Sequence, residues 1–137
     1  MEDPSRYILI AEDDEDDQFL LATAFKEISN STELVFVENG IDLINHFQKY
    51  DTGLIQQLPS LLIVDLNMPK KNGREAIKEL LQKNYFRSFP TVVFSTTMNE
   101  LEKKRCRELG IDEFFVKPSS YYGLQEMVER FIRMIRK

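Results

Sequence analysis

With 137 residues, 42% hydrophobic and 30% charged, the chain has the size and composition of one folded domain with its own core, which excludes a disordered polymer and leaves little room for a second domain. The formal charge of −5, from 18 basic and 23 acidic side chains, argues against a broad phosphate-binding surface for nucleic acid. The single cysteine, Cys106, excludes an intramolecular disulfide and has no metal-ligand or redox spacing around it, so it reads as inert.

The chain opens on a polar stretch, Met1 to Arg6, which lacks the apolar core of a signal peptide. Its apolar runs fall far short of the ~20 residues a membrane span needs, so the expectation is a cytoplasmic protein without membrane contact. Tyr7 to Ala11 reads as a buried strand, followed by six consecutive acidic residues, Glu12 to Asp17. A helix begins within that run, where acidic side chains favour the positive end of the helix dipole. Leu20, Leu21, Ala24, Phe25 and Ile28 supply its apolar face. Asn30 and Ser31 break it, and Leu34 to Val37 reads as a second strand. Asn39-Gly40 is a turn signal, after which Ile41, Ile44 and Phe47 recur at helical spacing. Asp51 to Ser60 reads as a loop, Leu61 to Val64 as a third strand with Asp65 at its carboxyl end, and Met68 to Gly73 as a second loop. A helix with Ala76, Ile77, Leu80 and Leu81 on its apolar face follows. Pro90 opens a fourth strand, Thr91 to Phe94, ending at Ser95. Asn99 caps a charged fourth helix that ends near Gly110. Ile111 to Val116 is a fifth strand, closed by Lys117-Pro118. Leu124, Met127, Val128, Phe131, Ile132 and Ile135 mark a last amphipathic helix. Five apolar strands alternating with five helices predict a parallel sheet covered on both faces, a doubly wound α/β domain.

In such a sheet, ligands bind beyond the carboxyl ends of the strands, at the point where the strand order reverses. Four strand ends carry polar side chains: Glu12 and Asp13, Asp65, Ser95 and Thr96, and Lys117. Each has an ordinary reading alone, as helix cap, turn former, strand-end filler or strand exit. Their convergence on one sheet edge points instead to chemistry. Like-charged carboxylates about 4 Å apart cost roughly 1 kcal/mol in water and several times more when partly buried. A hard cation such as Mg²⁺ removes that cost and shares oxygens with phosphate groups. Lys117 adds a fixed positive charge for a phosphoryl oxygen. A carboxylate set between the two cations is placed to attack a phosphoryl donor. His46, the only histidine, lacks a partner at ligand spacing and reads as structural, Met68 reads as loop packing, and no glycine-rich nucleotide motif occurs.

From Tyr7 to about Met134 these features resemble the receiver domain of two-component response regulators. Glu12-Asp13 is similar to the family's acidic pair, and Asp65-Leu66-Asn67-Met68-Pro69 with Gly73 resembles its phosphoacceptor segment. Ser95 falls at its switch hydroxyl, Phe114 at its switch aromatic and Lys117-Pro118 at its basic strand end. The resemblance implies a flavodoxin-like sheet of order 2-1-3-4-5 over residues 1–137 as a single receiver, with Asp65 as phosphoacceptor. It implies Mg²⁺ held by Asp13, Asp65 and the main-chain carbonyl of Asn67, with Glu12 acting through a water. Ser95 and Lys117 would bind phosphoryl oxygens, Phe114 would follow the state of Ser95, and Asn67 and Thr97 would tune dephosphorylation. The implied partners are a sensor histidine kinase or phosphotransfer protein and a downstream protein. Phosphorylation would switch the face made by the fourth helix, fifth strand and fifth helix, where a partner or a second copy of the chain binds. The long stretch Gln48 to Ser60, together with Pro69 to Glu75, is similar to stand-alone receivers that serve phytochrome-type histidine kinases. No effector segment is read after the last helix, so output is expected through partner binding or onward phosphotransfer.

Two rival readings differ in class. A Mg²⁺-dependent phosphohydrolase with an aspartyl nucleophile usually carries a second acid two residues later, and Asn67 stands there instead. A degenerate receiver that only binds proteins is disfavoured by the intact set Asp13, Asp65, Ser95 and Lys117.

Overall fold

Strands that are apolar at nearly every position need cover on both faces, and helices between them supply it. The computed structural model describes residues 7–96, 99–111 and 113–135. Its strands are β1 (Tyr7–Ala11), β2 (Glu33–Val37), β3 (Leu61–Asp65), β4 (Thr91–Ser95) and β5 (Glu113–Val116). Its helices are α1 (Glu15–Ile28), α2 (Gly40–Asp51), α3 (Gly73–Leu80), α4 (Glu100–Glu108) and α5 (Tyr121–Ile135), with a short 3-10 turn at Phe86–Ser88 that the sequence patterns did not reveal. All pairings are parallel and the order is β2-β1-β3-β4-β5, the doubly wound arrangement expected. The chain steps outward from β1 to β2, then crosses back to β3 and runs on to β5. The crevice at that reversal lies beyond the ends of β1 and β3.

Alternate strand residues face opposite ways, and two cores result. Leu9, Leu62, Val64 and Val93 meet Leu43 and Phe47 of α2, Ala76, Ile77 and Leu80 of α3, and Cys106 of α4. Ile8, Ile10, Ile63 and Phe94 meet Leu21, Ala24 and Phe25 of α1 and Met127, Val128, Phe131 and Met134 of α5. Cys106 is therefore a core side chain, with its thiol pushed up by burial, which agrees with an inert role. Among the described residues, no helix is long and apolar enough to cross a membrane.

Four helices begin in one way. Asp14, Asn39, Asn72 and Asn99 each accept a hydrogen bond from the backbone N–H three residues on, that of Asp17, Asp42, Glu75 and Glu102 respectively. Such caps are worth about 1 kcal/mol apiece. Asn39-Gly40, expected to be a turn, is thus the start of α2. A glycine is required there because a Cβ on Gly40 would stand 2.2 Å from the Lys71 carbonyl oxygen, which accepts the Gly40 N–H at 2.8 Å.

Details of the helix faces also differ from the periodic reading. Leu43 and Phe47 are buried while Ile41 is 44% exposed. At roughly 100° per residue, Ile41 lies about 120° around the helix from Phe47, whereas Leu43 sits one turn before it. In α5, Met134 is buried and Ile132 and Ile135 are half-buried. The stretch read as loop from Asp51 begins at the last residue of α2, and Lys83 and Tyr85 bind the Asp51 carboxylate. His46 Nε2 is 2.7 Å from the Tyr7 hydroxyl oxygen, and burial lowers the imidazole pKa below its usual value, as befits a structural histidine.

Phe47 packs against Tyr85, Phe86 and Phe89 and is fully buried, whereas Leu54 is 79% exposed. Phe47→Ala should lower the unfolding free energy by about 3–5 kcal/mol in denaturant titration, and Leu54→Ala should change it by no more than about 0.5 kcal/mol. Similar losses from both would contradict this assignment of the core.

Candidate functional site

The parallel register aligns the strand ends. Ala11 pairs with Val64, so Glu12 and Asp65 each stand one residue beyond that pair. Asp65 pairs with Phe94, Ser95 pairs with Val116, and the Lys117 N–H donates to the Ser95 carbonyl at 2.8 Å. Four separated segments thereby reach one crevice. The connection after β3 folds tightly over it: Gly73 opens α3 with its Cα so close to the Asp65 backbone that a Cβ would lie 2.5 Å from the Asp65 carbonyl oxygen.

Glu12, Asp13 and Asp65 bring one carboxylate oxygen each to within 4.8 Å of one another. Glu12 and Asp65 are buried and Asp13 is open to solvent. The Asp65 Oδ1 accepts the Asn67 N–H at 3.0 Å, and its Oδ2 accepts from Lys117 Nζ at 3.1 Å. Asn67 Nδ2 donates to the buried Ser95 Oγ at 2.8 Å, tying the β3 loop to the end of β4. Glu12 Oε2 accepts the Asp14 N–H at 2.9 Å. Lys117 Nζ stands 2.8 Å from Glu12 Oε1, although that oxygen has no well-aligned hydrogen bond.

The site is acidic. Burial pushes the Glu12 carboxyl up to about 7 against the opposing effects of Lys117 and the Asp14 N–H, and the nearby Asp65 charge adds to the rise. Burial works to depress the Lys117 ammonium, but Asp17, Glu12 and Asp65 together outweigh it and raise its pKa well above normal. Its Nζ also lies 4.9 Å from the centroid of the Phe94 ring. One ammonium set among Glu12, Asp13, Asp17 and Asp65 leaves negative charge in excess. The exposed Asp13 and the poorly satisfied Glu12 oxygen complete a donor set that fits a hard divalent cation.

Glu12, Asp13, Asp65, Asn67, Ser95 and Lys117 thus come together as expected. Thr96 is exposed, Met68 is buried as loop packing, and Thr97 lies outside the described residues. Phe114 pairs with Val93, and side-chain alternation puts Ser95 on the same face of the sheet as Val93 and Phe114. The Phe114 ring is half-buried against the α2–α4 core, with the Arg107 guanidinium 5.8 Å from its centroid. One residue escaped the sequence reading: Asp17, whose Oδ2 accepts from Lys117 Nζ at 2.9 Å. The only signal for it was a carboxylate one helical turn beyond Asp13.

The family model "Response regulator receiver domain" matches residues 8–129. Response regulator Rcp1 of Synechocystis sp. is 29% identical over 126 residues, covering 92% of this chain and 86% of that protein. The crystal structure of the phosphorylated cyanobacterial phytochrome response regulator RcpA superimposes with a TM-score of 0.82 at 26% identity, covering 91% of this chain and 89% of that one. The Mn²⁺-bound form of Rcp1 gives a TM-score of 0.79 at 29% identity, with coverage of 91% and 90%.

A divalent cation that binds the folded chain should raise its thermal midpoint, and at about 100 times the dissociation constant linkage supplies about 2.7 kcal/mol. Asp13→Asn should abolish most of that shift. An equal shift in the variant, or none in the parent protein at millimolar Mg²⁺ or Mn²⁺, would count against this cation site.

Proposed function

Because the chain belongs to the response regulator receiver domain family, we propose that it accepts a phosphoryl group on Asp65 from a sensor histidine kinase or phosphotransfer protein and thereby switches a protein-interaction surface. The observation that carries this reading is the Asp65 carboxylate, 4% exposed at the end of β3, held by Lys117 on one oxygen and sharing a cation-fitting cluster with Glu12 and Asp13. Receivers of this family are phosphoacceptors rather than turnover enzymes. In keeping with that, the position two residues after Asp65 is an amide, Asn67, engaged with Ser95.

In the transfer, an Asp65 carboxylate oxygen attacks phosphorus. The new P–O bond forms as the bond from phosphorus to the donor's imidazole nitrogen breaks, and the leaving nitrogen keeps the electron pair. Mg²⁺ would be held by Asp13, Asp65 and the Asn67 main-chain carbonyl, with Glu12 acting through a water, and when bound it neutralises charge on the transferring oxygens. Lys117 supplies positive charge from the opposite side, and the Ser95 hydroxyl, which accepts from Asn67, keeps its own O–H to donate to a phosphoryl oxygen. Asn67 and Thr97 are positioned in sequence to tune the loss of the phosphoryl group.

The output rests on the side of the sheet shared by α4 and β5. Drawing the Ser95 hydroxyl toward a phosphoryl group vacates space on the face it shares with Phe114, and an apolar ring can turn inward without leaving a polar atom unsatisfied. α4 buries only Cys106 fully, so its hold on the core is slight. Its outer face carries Lys104, Arg105 and Arg107, while α5 exposes Glu126, Glu129, Arg130 and Arg133, charges of which the acidic pair could meet the α4 cations across a two-fold axis or in a charged partner.

Acetyl phosphate with Mg²⁺ should add one phosphoryl group to the intact mass of the protein and none to Asp65→Asn; equal labelling of the variant would exclude Asp65. Beryllium fluoride with Mg²⁺ should change amide hydrogen exchange across residues 100–115 and, if the partner is a second copy, the mass seen by light scattering. Unchanged exchange over that segment would rule out the proposed switch.

A further inference from the structure

Lys117 has an acidic partner that the cation-fitting cluster does not include. Its ammonium faces three carboxylate oxygens within 3.1 Å: Glu12 Oε1 at 2.8 Å, Asp17 Oδ2 at 2.9 Å and Asp65 Oδ2 at 3.1 Å. An ammonium has three N–H groups, two of them already donated to Asp17 and Asp65, and three carboxylates crowd it, so a phosphoryl oxygen arriving on Asp65 competes with these contacts. Resting on the phosphoacceptor reading above, we propose that Asp17 is a positioning residue that competes with the phosphoryl group for Lys117, holding the ammonium in the unphosphorylated chain and yielding it on phosphorylation.

Exposure decides which contact yields. The Glu12 side chain is 0% exposed and that of Asp65 5%, whereas that of Asp17 is 35% exposed. Parting Lys117 from Glu12 would strand a buried carboxylate, which is strongly unfavourable, while a released Asp17 is rehydrated at small cost. Asp17 is also the third residue of α1, where the helix dipole favours a carboxylate after its lysine has gone. Glu12 and Asp65 belong to the acidic cluster that fits a cation and Asp17 does not, so Lys117 is its one described ionic partner.

Release has a structural consequence. The Asp17–Lys117 contact spans 100 residues of sequence and joins the first turn of α1 to the end of β5. The neighbouring Gln18 Nε2 donates to the Glu12 carbonyl at 2.6 Å, so the same turn of α1 is fastened to the site twice. Losing one fastening lets the start of α1 respond to the phosphorylation state of Asp65, on the opposite side of the sheet from α4.

Calorimetric titration with beryllium fluoride in saturating Mg²⁺ tests this on the parent chain, Asp17→Asn, Asp17→Ser, Asp17→Glu and Asp16→Asn, each first shown to be folded by circular dichroism. Asp17→Asn and Asp17→Ser should bind the phosphoryl mimic roughly two- to fivefold more tightly, as expected for removing a partly exposed ionic competitor. Asp17→Glu should return toward the parent affinity. Asp16→Asn removes the same charge one residue away, without a contact to Lys117, and should change affinity by much less. Unchanged or weaker binding in both neutral Asp17 variants would overturn the competition, and equal tightening in Asp16→Asn would reduce it to a general effect of net charge. Failure of the parent chain to bind the mimic would instead overturn the phosphoacceptor reading and this inference with it.

Discussion

The Lys117 ammonium lies among carboxylates from the end of β1, the end of β3 and the first turn of α1, and the form of the whole sheet edge follows from that contact. Four acidic side chains in one crevice repel one another, and burial of Glu12 and Asp65 deepens the penalty because little water remains to screen them. One lysine offsets part of this charge. The remainder leaves the crevice able to take a divalent cation at its open Asp13 side and, with that cation, the anionic oxygens of a phosphoryl group. With this imbalance the crevice fits the phosphoacceptor chemistry of its family rather than turnover, setting the buried Asp65 carboxylate beside one fixed positive charge.

The precision of the site comes from strands rather than loops. Each of the residues Glu12, Asp65, Ser95 and Lys117 is fixed within a residue of a strand end, and parallel pairing sets their relative heights. Two glycines allow the connections to pack onto that edge: Gly40 accepts the close approach of the Lys71 carbonyl, and Gly73 that of Asp65 itself. The Asn67 side chain then ties the loop after β3 to Ser95 on β4.

The helices are held to the sheet unequally. α1 and α5 bury three and four side chains respectively, and stacked Phe25 and Phe131 bridge them. α4 buries Cys106 alone and is otherwise held by polar contacts, chiefly Arg74 to both oxygens of Glu102. A change at Ser95 or Phe114 therefore meets little apolar resistance on that side. The firm pair α1 and α5 is joined to the site by local polar contacts such as that between Asp17 and Lys117.

Much of this was legible in the residues alone. Apolar runs alternating with helical periodicity define the doubly wound sheet, because burial on both faces leaves strands no polar alternation to show. Asp65, Ser95 and Lys117 stood out because each is a polar residue ending an apolar strand, and such a position has one place to go. Other features depended on neighbours remote in sequence. Asn39-Gly40 carries the same two residues whether it turns a hairpin or starts a helix, and only the approach of Lys71 selects the helix start. Ile41 and Leu43 are equally apolar, and the position of α2 against Phe86 and Phe89 decides which is buried. Asp17 looks like any acid at a helix start until β5 brings Lys117 to it from 100 residues away. Local periodicity and strand-end chemistry thus determined the architecture and the polar residues that gather at its edge. The choice of Lys117's partners belongs to the tertiary structure, because a salt bridge is fixed by distance and burial, and neither is written in the chain between its ends.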